Sequence, residues 1–224
     1  VPVRAELLSR APLKPDTPLR PGDPKDFTLL VMGGSLGARA VNELAMAALA
    51  RLAGHPTPKG RAVPAAGEPG DQPAGHGWRV IHLAGRADEN AVRAAYAEIG
   101  VSAQVFGFLE DMGAAYAAAD ICIGRSGAAA CFELALCGKP AILIPLPTAV
   151  RDHQTANAKA FEEAGAAIMM PQAELTPELL AAKVSSLRDS DGQLEKMSAA
   201  MRGLARPDAA LALAITVERV GSHS

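Results

Sequence analysis

Short apolar runs rich in strand formers alternate with segments of helical periodicity along most of the chain, and no other feature constrains the fold as tightly. Phe27-Thr28-Leu29-Leu30-Val31-Met32 is such a run. It stops at Gly33-Gly34, after which Ala38, Val41, Leu44, Ala45, Ala48, Leu49 and Leu52 recur at the spacing of one helix face. Further strands are predicted over 79–83, 102–106, 121–123, 141–144 and 167–170, with helices over 87–99, 111–119, 127–137 and 153–163. Strands that are apolar throughout, without polar alternation, need cover on both faces. The pattern therefore predicts an α/β fold, a doubly wound parallel sheet of about six strands. Residues 177–220 read as helices broken at 189–192 and near Pro207.

Two segments depart from the alternation. Residues 1–26 carry Pro2, Pro12, Pro15, Pro18, Pro21 and Pro24 and read as an extended lead-in. Residues 54–77 are rich in Pro, Gly and Ala without periodicity, as expected of a mobile inserted surface loop. That insert accounts for a length of 224 residues, long for one compact domain.

Composition narrows the classes of function. The 22 Lys and Arg against 24 Asp and Glu give a net charge of −2 without any basic block, a poor footprint for duplex nucleic acid. Aromatics make up 4% of the chain, too few for a single-strand stacking platform, so no nucleic-acid partner is expected. Cys122, Cys131 and Cys137 are odd in number and form no C-x-x-C pair. Zinc and a disulfide framework are set aside, and a reducing, cytoplasmic compartment is expected. No apolar run reaches the length of a transmembrane helix. The chain starts at Val1 without the regions of a signal peptide and without Met, which suggests part of a longer protein.

In an open parallel sheet, ligands bind beyond the carboxyl ends of the strands, and loops there have unusual chemistry. Gly33-Gly34-Ser35-Leu36-Gly37 opens a helix directly after the first strand, where backbone amides can approach an anion. It is neither G-x-G-x-x-G nor a P-loop, and a tight turn needing glycine for packing explains it equally well. The second segment is Arg125-Ser126-Gly127-Ala128-Ala129-Ala130-Cys131-Phe132-Glu133. Small residues leave the amides of Gly127, Ala128 and Ala129 open to a diphosphate, and Glu133 on the same helix can accept both hydroxyls of a ribose diol. Apolar neighbours on both sides of Glu133 favour that role over an ordinary surface acid, whereas Ser126 serves equally well as a helix cap. In the third, residues 145–157 after the fifth predicted strand, Asp152 suits an N-cap. Gln154 and Asn157 share one face, either for sugar hydroxyls or as a solvated helix start.

Other candidates are weaker. Asp189-Ser190-Asp191 has metal-like spacing but reads as a turn between tail helices, and His82 reads as a core or strand-end histidine. His55, His76 and His223 fall in loops or the tail. No nucleophilic triad or metal cluster is present, and no cofactor is expected.

Five segments in one order carry a resemblance. They are Val1-Pro2-Val3-Arg4-Ala5-Glu6; Gly33-Gly34-Ser35-Leu36-Gly37-Ala38-Arg39 with Asn42; Gly107-Phe108-Leu109-Glu110-Asp111-Met112; Arg125-Ser126-Gly127-Ala128 with Glu133; and Asp152-His153-Gln154-Thr155-Ala156-Asn157. The chain resembles the carboxyl-terminal half of the peptidoglycan N-acetylglucosaminyltransferases of glycosyltransferase family 28. The resemblance implies a Rossmann-like domain, the donor-binding half of a glycosyltransferase B fold. It implies a linker over 1–26, a UDP-sugar domain over 27–206 and a C-terminal helix over 207–224. Members move N-acetylglucosamine from UDP-N-acetylglucosamine, with inversion, onto an undecaprenyl-pyrophosphoryl muramyl-pentapeptide lipid at the cytoplasmic face of the membrane. Carried over, Phe108 and Leu109 flank the uracil, with the Leu109 main chain reading its edge, and Glu133 holds the ribose. Ser35, Ser126, Gly127, Ala128 and Ala129 face the diphosphate with Arg4 nearby, and Gln154 and Asn157 contact the sugar.

Departures are Ala129 and Ala130, where members often carry larger or hydroxyl-bearing residues, and Val1, where an Asn commonly precedes Pro-Val-Arg. The amino-terminal acceptor half, with the expected general base and membrane-facing patch, is missing, so this chain alone is expected to bind weakly and transfer nothing. Three readings compete: the donor-binding subunit of a split glycosyltransferase with a membrane partner, a UDP-N-acetylglucosamine epimerase or related enzyme, and an NAD-type domain. Epimerases need cleft acids and bases, for which His153 and Glu133 are a thin set. The NAD reading wants an acid closing the second strand, and His82-Leu83-Ala84-Gly85 offers none.

Overall fold

The computed structural model describes residues 19–20, 22–23, 26–33, 39–54, 77–149 and 152–206. Arg4, Ser35, most of the 54–77 insert and the 207–224 tail lie outside the described residues. Six parallel strands form one sheet in the order β3-β2-β1-β4-β5-β6. They are β1 Phe27–Met32, β2 Trp78–Leu83, β3 Ser102–Phe106, β4 Ile121–Gly124, β5 Ala141–Leu143 and β6 Ala167–Met169. The helices are α1 Arg39–Leu52, α2 Glu89–Glu98, α3 Met112–Ala118, α4 Ala128–Cys137, α5 His153–Glu163, α6 Pro177–Arg188 and α7 Gln193–Gly203. The chain reverses direction across the sheet between β1 and β4, the switch point at which such sheets open a crevice.

Period-2 alternation divides the core. Leu29, Val31, Val80, Ile121, Ile123 and Ile142 face one side, under α1, α2 and α6. Leu30, Met32, Ile81, Cys122 and Leu143 face the other, under α3, α4 and α5. Both sets are buried, which is why these strands read as continuous apolar runs. Met197 of α7 reaches the first layer and Met201 the second. The described end of the lead-in is anchored: Leu19 is buried in the second layer, and Gln104 on β3 both accepts from the Arg20 amide and donates to its carbonyl. The buried Arg79 guanidinium donates to that same carbonyl.

Register brings the strand ends level. Phe106, Leu83, Met32, Gly124, Leu143 and Met169 are successive partners across the sheet, so the loops that follow them rise from one edge. Gly124 is required there, since a Cβ would stand 2.6 Å from the Met32 carbonyl oxygen. The carboxyl end of α4 is closed by Gly138 at φ 61, with the Lys139 amide reaching the Leu134 carbonyl and the Gly138 amide that of Ala135. β5 and β6 each end one residue before the predicted boundary. The chain nevertheless stays hydrogen-bonded beyond them, from Ile144 N to Gly124 O and from Met170 N to Leu143 O.

Candidate functional site

The Arg125-Ser126-Gly127 turn joins β4 to α4 at the centre of the level edge. Gly127 is the N-cap, in extended conformation and without a side-chain cap, and Ala128 and Ala129 are exposed. The first amides of a helix have no partner within it, so this turn presents N–H groups and the positive end of the helix dipole to the crevice. Ser126 does not cap the helix. It is fully buried, and its hydroxyl donates to the Gln154 carbonyl at 2.8 Å.

Glu133 lies four residues beyond Ala129 on the same face of α4. Its carboxylate accepts a hydrogen bond of 3.0 Å from the Tyr116 hydroxyl on α3. Tyr116 is 1% exposed, and burial first, with the Glu133 charge second, pushes its hydroxyl well above the usual tyrosine range. It is a neutral donor.

Gln154 and Asn157 open α5, and both are partly committed to the scaffold. The Gln154 Oε1 accepts from the Leu146 amide at 3.0 Å, and the Asn157 Nδ2 donates to the Ser126 carbonyl at 2.9 Å. Together with Ser126 they lock the turn after β4 to the start of α5. Asp152 occupies the N-cap position as expected but does not cap. It adopts φ 53, the single non-glycine positive φ among the described residues, and its side chain makes no cap hydrogen bond.

After β3, the 107–111 loop turns Phe108 out and Leu109 in: Phe108 is 61% exposed and Leu109 is 2% exposed. The Arg86 guanidinium lies 6.0 Å from the Phe108 ring centroid. The loop is pinned by Asp111, whose side chain accepts from the Ala114 amide at the start of α3. The side chain of Leu109 is thus part of the core, whereas Phe108 stands at the surface.

Two features escaped the sequence reading. The Arg125 guanidinium donates to the Ile144 and Pro145 carbonyls and to Gln172 Oε1, all three uncharged acceptors. Burial lowers its pKa from the ordinary value, yet arginine remains a cation. A loop arginine at a strand end was the available signal.

The other is a buried polar chain between α1, β2 and α2. Asn42 Nδ2 donates to the Ala84 carbonyl at 3.0 Å and to Asp88 Oδ2 at 3.2 Å, so its Oδ1 faces His82 Nε2 at 3.0 Å. His82 therefore carries its proton on Nε2, and Nδ1 accepts from the Tyr96 hydroxyl at 2.9 Å. Burial holds the imidazole neutral, with its pKa lowered to about 3. His82 is a core histidine, and the chain ties α1, β2 and α2 together. Arg39 at the start of α1 adds a 3.1 Å ion pair to Asp88. No cluster of metal-ligating side chains occurs among the described residues. All three cysteines are free thiols, with burial raising Cys131 to about 12 and Cys137 to about 11.

Strand order, level loops and an uncapped helix start at the switch point define the class: a Rossmann-like doubly wound domain of the kind that builds each half of a glycosyltransferase B fold. Residues 28–213 match the glycosyltransferase family 28 C-terminal domain. The chain belongs to that family.

Its relatives include the UDP-N-acetylglucosamine–N-acetylmuramyl-(pentapeptide) pyrophosphoryl-undecaprenol N-acetylglucosamine transferases of Methylococcus capsulatus and Chromohalobacter salexigens. The first is 42% identical over 87% of this chain and 49% of its own length. The second is 45% identical over 83% of this chain and 45% of its own length. The crystal structure of Acinetobacter baumannii MurG superposes with a TM-score of 0.71 at 33% identity, covering 88% of this chain and 51% of that one. The chain spans about half the length of the curated relatives it matches.

Proposed function

We propose that this chain is the donor-binding half of an inverting N-acetylglucosaminyltransferase. The whole enzyme would carry N-acetylglucosamine from its UDP donor to an undecaprenyl-pyrophosphoryl muramyl-pentapeptide. One observation carries the proposal: a single helix, α4, offers an uncapped turn of amides at Gly127–Ala129 and a tethered carboxylate at Glu133. From Ala129 to Glu133 the helix rises about 6 Å, the reach from a 5′-phosphate across its ribose. In this reading the diphosphate lies on the amide turn, Glu133 holds the diol, and Phe108 with the Leu109 main chain takes the uracil. Gln154 and Asn157 would meet the sugar through the polar atoms they do not give to the scaffold. Arg4 and Ser35 complete the diphosphate side by resemblance.

The acceptor and the base that activates its hydroxyl belong to the half that the relatives have in addition, as does docking at the cytoplasmic face of the membrane. No helix among the described residues is long and apolar enough to cross a membrane. Residues 1–26 would link the halves, 27–206 form the donor domain and 207–224 add a closing helix. The family match and the relatives favour a transferase over an epimerase or an NAD domain.

Calorimetry of this chain against UDP, UDP-N-acetylglucosamine and NAD tests the proposal. Both uridine ligands should bind and NAD should not, and Glu133→Ala should cost about 2 kcal/mol through loss of charge-assisted bonds to the diol. Binding of NAD in place of UDP, or an unchanged affinity in Glu133→Ala, would overturn it.

A further inference from the structure

We infer that Tyr116 is a positioning residue that aims Glu133 at the nucleoside ribose and so sets the preference of the cleft for ribo- over deoxyribonucleotides. The inference rests on the donor-binding reading above and goes beyond it, since the diol contact alone does not say what holds the carboxylate in place.

A glutamate on an exposed helix face samples several rotamers, and freezing it on ligand binding opposes affinity. Here the cost is met during folding. Tyr116 is a buried aromatic on α3 whose hydroxyl meets one oxygen of Glu133 at 3.0 Å, 17 residues along the chain. A buried phenol needs a polar partner, and the ring itself is fixed in the layer formed with Met112, Ala115 and Cys122. The donor is therefore rigid and restricts the carboxylate it grips. A carboxylate has about four acceptor positions, so accepting the phenol hydrogen does not by itself fill them.

The bond also sets a distance between elements. α3 begins at the Asp111 cap that ends the Phe108–Leu109 loop, and its own carboxyl end is held by Lys139, whose Nζ donates to the Ala117 and Ala119 carbonyls at 3.3 and 2.8 Å. Tyr116 thus joins the element that carries the base-side loop to the helix that carries Glu133. The base and ribose subsites are held at one spacing, where a 2′-hydroxyl finds an acceptor already aimed at it.

A merely structural tyrosine would affect all ligands alike, so the test compares two that differ by one hydroxyl. Affinities for UDP and 2′-deoxy-UDP are measured by calorimetry for the wild-type chain, Tyr116→Phe, Glu133→Ala and the double variant. The wild type should prefer UDP. Tyr116→Phe keeps the ring and should weaken UDP about three- to ten-fold while moving 2′-deoxy-UDP less than about two-fold. Added to Glu133→Ala, which leaves the phenol nothing to hold at that position, it should lower affinity no further. Equal losses for both ligands, no loss, or additive losses in the double variant overturn the inference and leave the donor-binding reading standing. A wild-type chain that binds neither ligand overturns that reading, and this inference with it. If Tyr116→Phe yields too little folded protein, 3-fluorotyrosine at position 116 supplies a stronger donor. It should raise the UDP to 2′-deoxy-UDP preference, and an unchanged ratio counts against the inference.

Discussion

Replacing His82 with glutamine should remove a defined part of the acid sensitivity of this fold. In the native state the imidazole donates from Nε2 to Asn42 and accepts at Nδ1 from Tyr96, a pattern that only the neutral ring satisfies. Its pKa is about 3, against 6.5 ordinarily, with burial as the cause; the Asp88 carboxylate bonds to Asn42. The unfolded chain takes up this proton as pH falls below 6.5 and the folded chain does not. Stability from keeping the ring neutral is thus complete above that pH and is lost progressively toward pH 3. At 1.36 kcal/mol per unit, the loss between pH 7 and pH 5 is about 2 kcal/mol, or roughly 4–8 °C in midpoint for a chain of this size.

Urea unfolding at fixed ionic strength, followed by the fluorescence of Trp78, the single tryptophan, measures it directly. Trp78 is buried beside Phe27 with the Arg188 guanidinium 4.3 Å from its centroid, so its emission should change on unfolding. His82→Gln should be the less stable protein at pH 7, by about 1–3 kcal/mol for the hydrogen bonds it disturbs. The gap should then narrow by about 2 kcal/mol at pH 5. Carboxylate titration is common to both proteins and cancels in the difference. A gap of the same size at both pH values would show that the imidazole is not held neutral by the fold.

Two further outcomes are expected. Gly124→Ala should destabilise by about 1–3 kcal/mol in the same urea assay, because the new methyl meets the Met32 carbonyl at 2.6 Å and backbone must shift; a change under about 0.5 kcal/mol would contradict the close approach of β1 and β4. Ser126→Ala should remove the hydroxyl bond to the Gln154 carbonyl, which keeps its acceptor role within α5, and lower stability by about 0.5–1.5 kcal/mol; by calorimetry it should weaken UDP-N-acetylglucosamine more than UDP, since α5 carries the side chains assigned to the sugar.

The element pattern was legible because strand and helix periods are local. β1, β3 and α5 fall where the apolar runs and the helical spacing put them, and the break at 189–192 separates α6 from α7. β5 and β6 read one residue long because apolar side chains continue past the last paired position. The candidate site was legible to the extent that one segment holds it, as with Gly127, Ala129 and Glu133. Partners distant in sequence were not: Tyr116 meets Glu133 at a separation of 17 residues, Asn42 meets His82 at 40, and Gln104 meets Arg20 at 84. Each could have been suspected, since a tyrosine or histidine in an apolar run must satisfy its polar atoms, but the identity of the partner is decided by tertiary packing. Asp152 shows the opposite case, in which the right residue type stands at the helix start and the backbone turns its side chain away from the capping role.

The tight apposition of β1 and β4 has an evolutionary corollary. With bare main chain where the crevice meets the sheet at Gly124, that surface offers selection no side chain to vary. Divergence in what such domains accept is thereby channelled into the surrounding turns and helix starts, which can change one residue at a time while the sheet beneath stays the same.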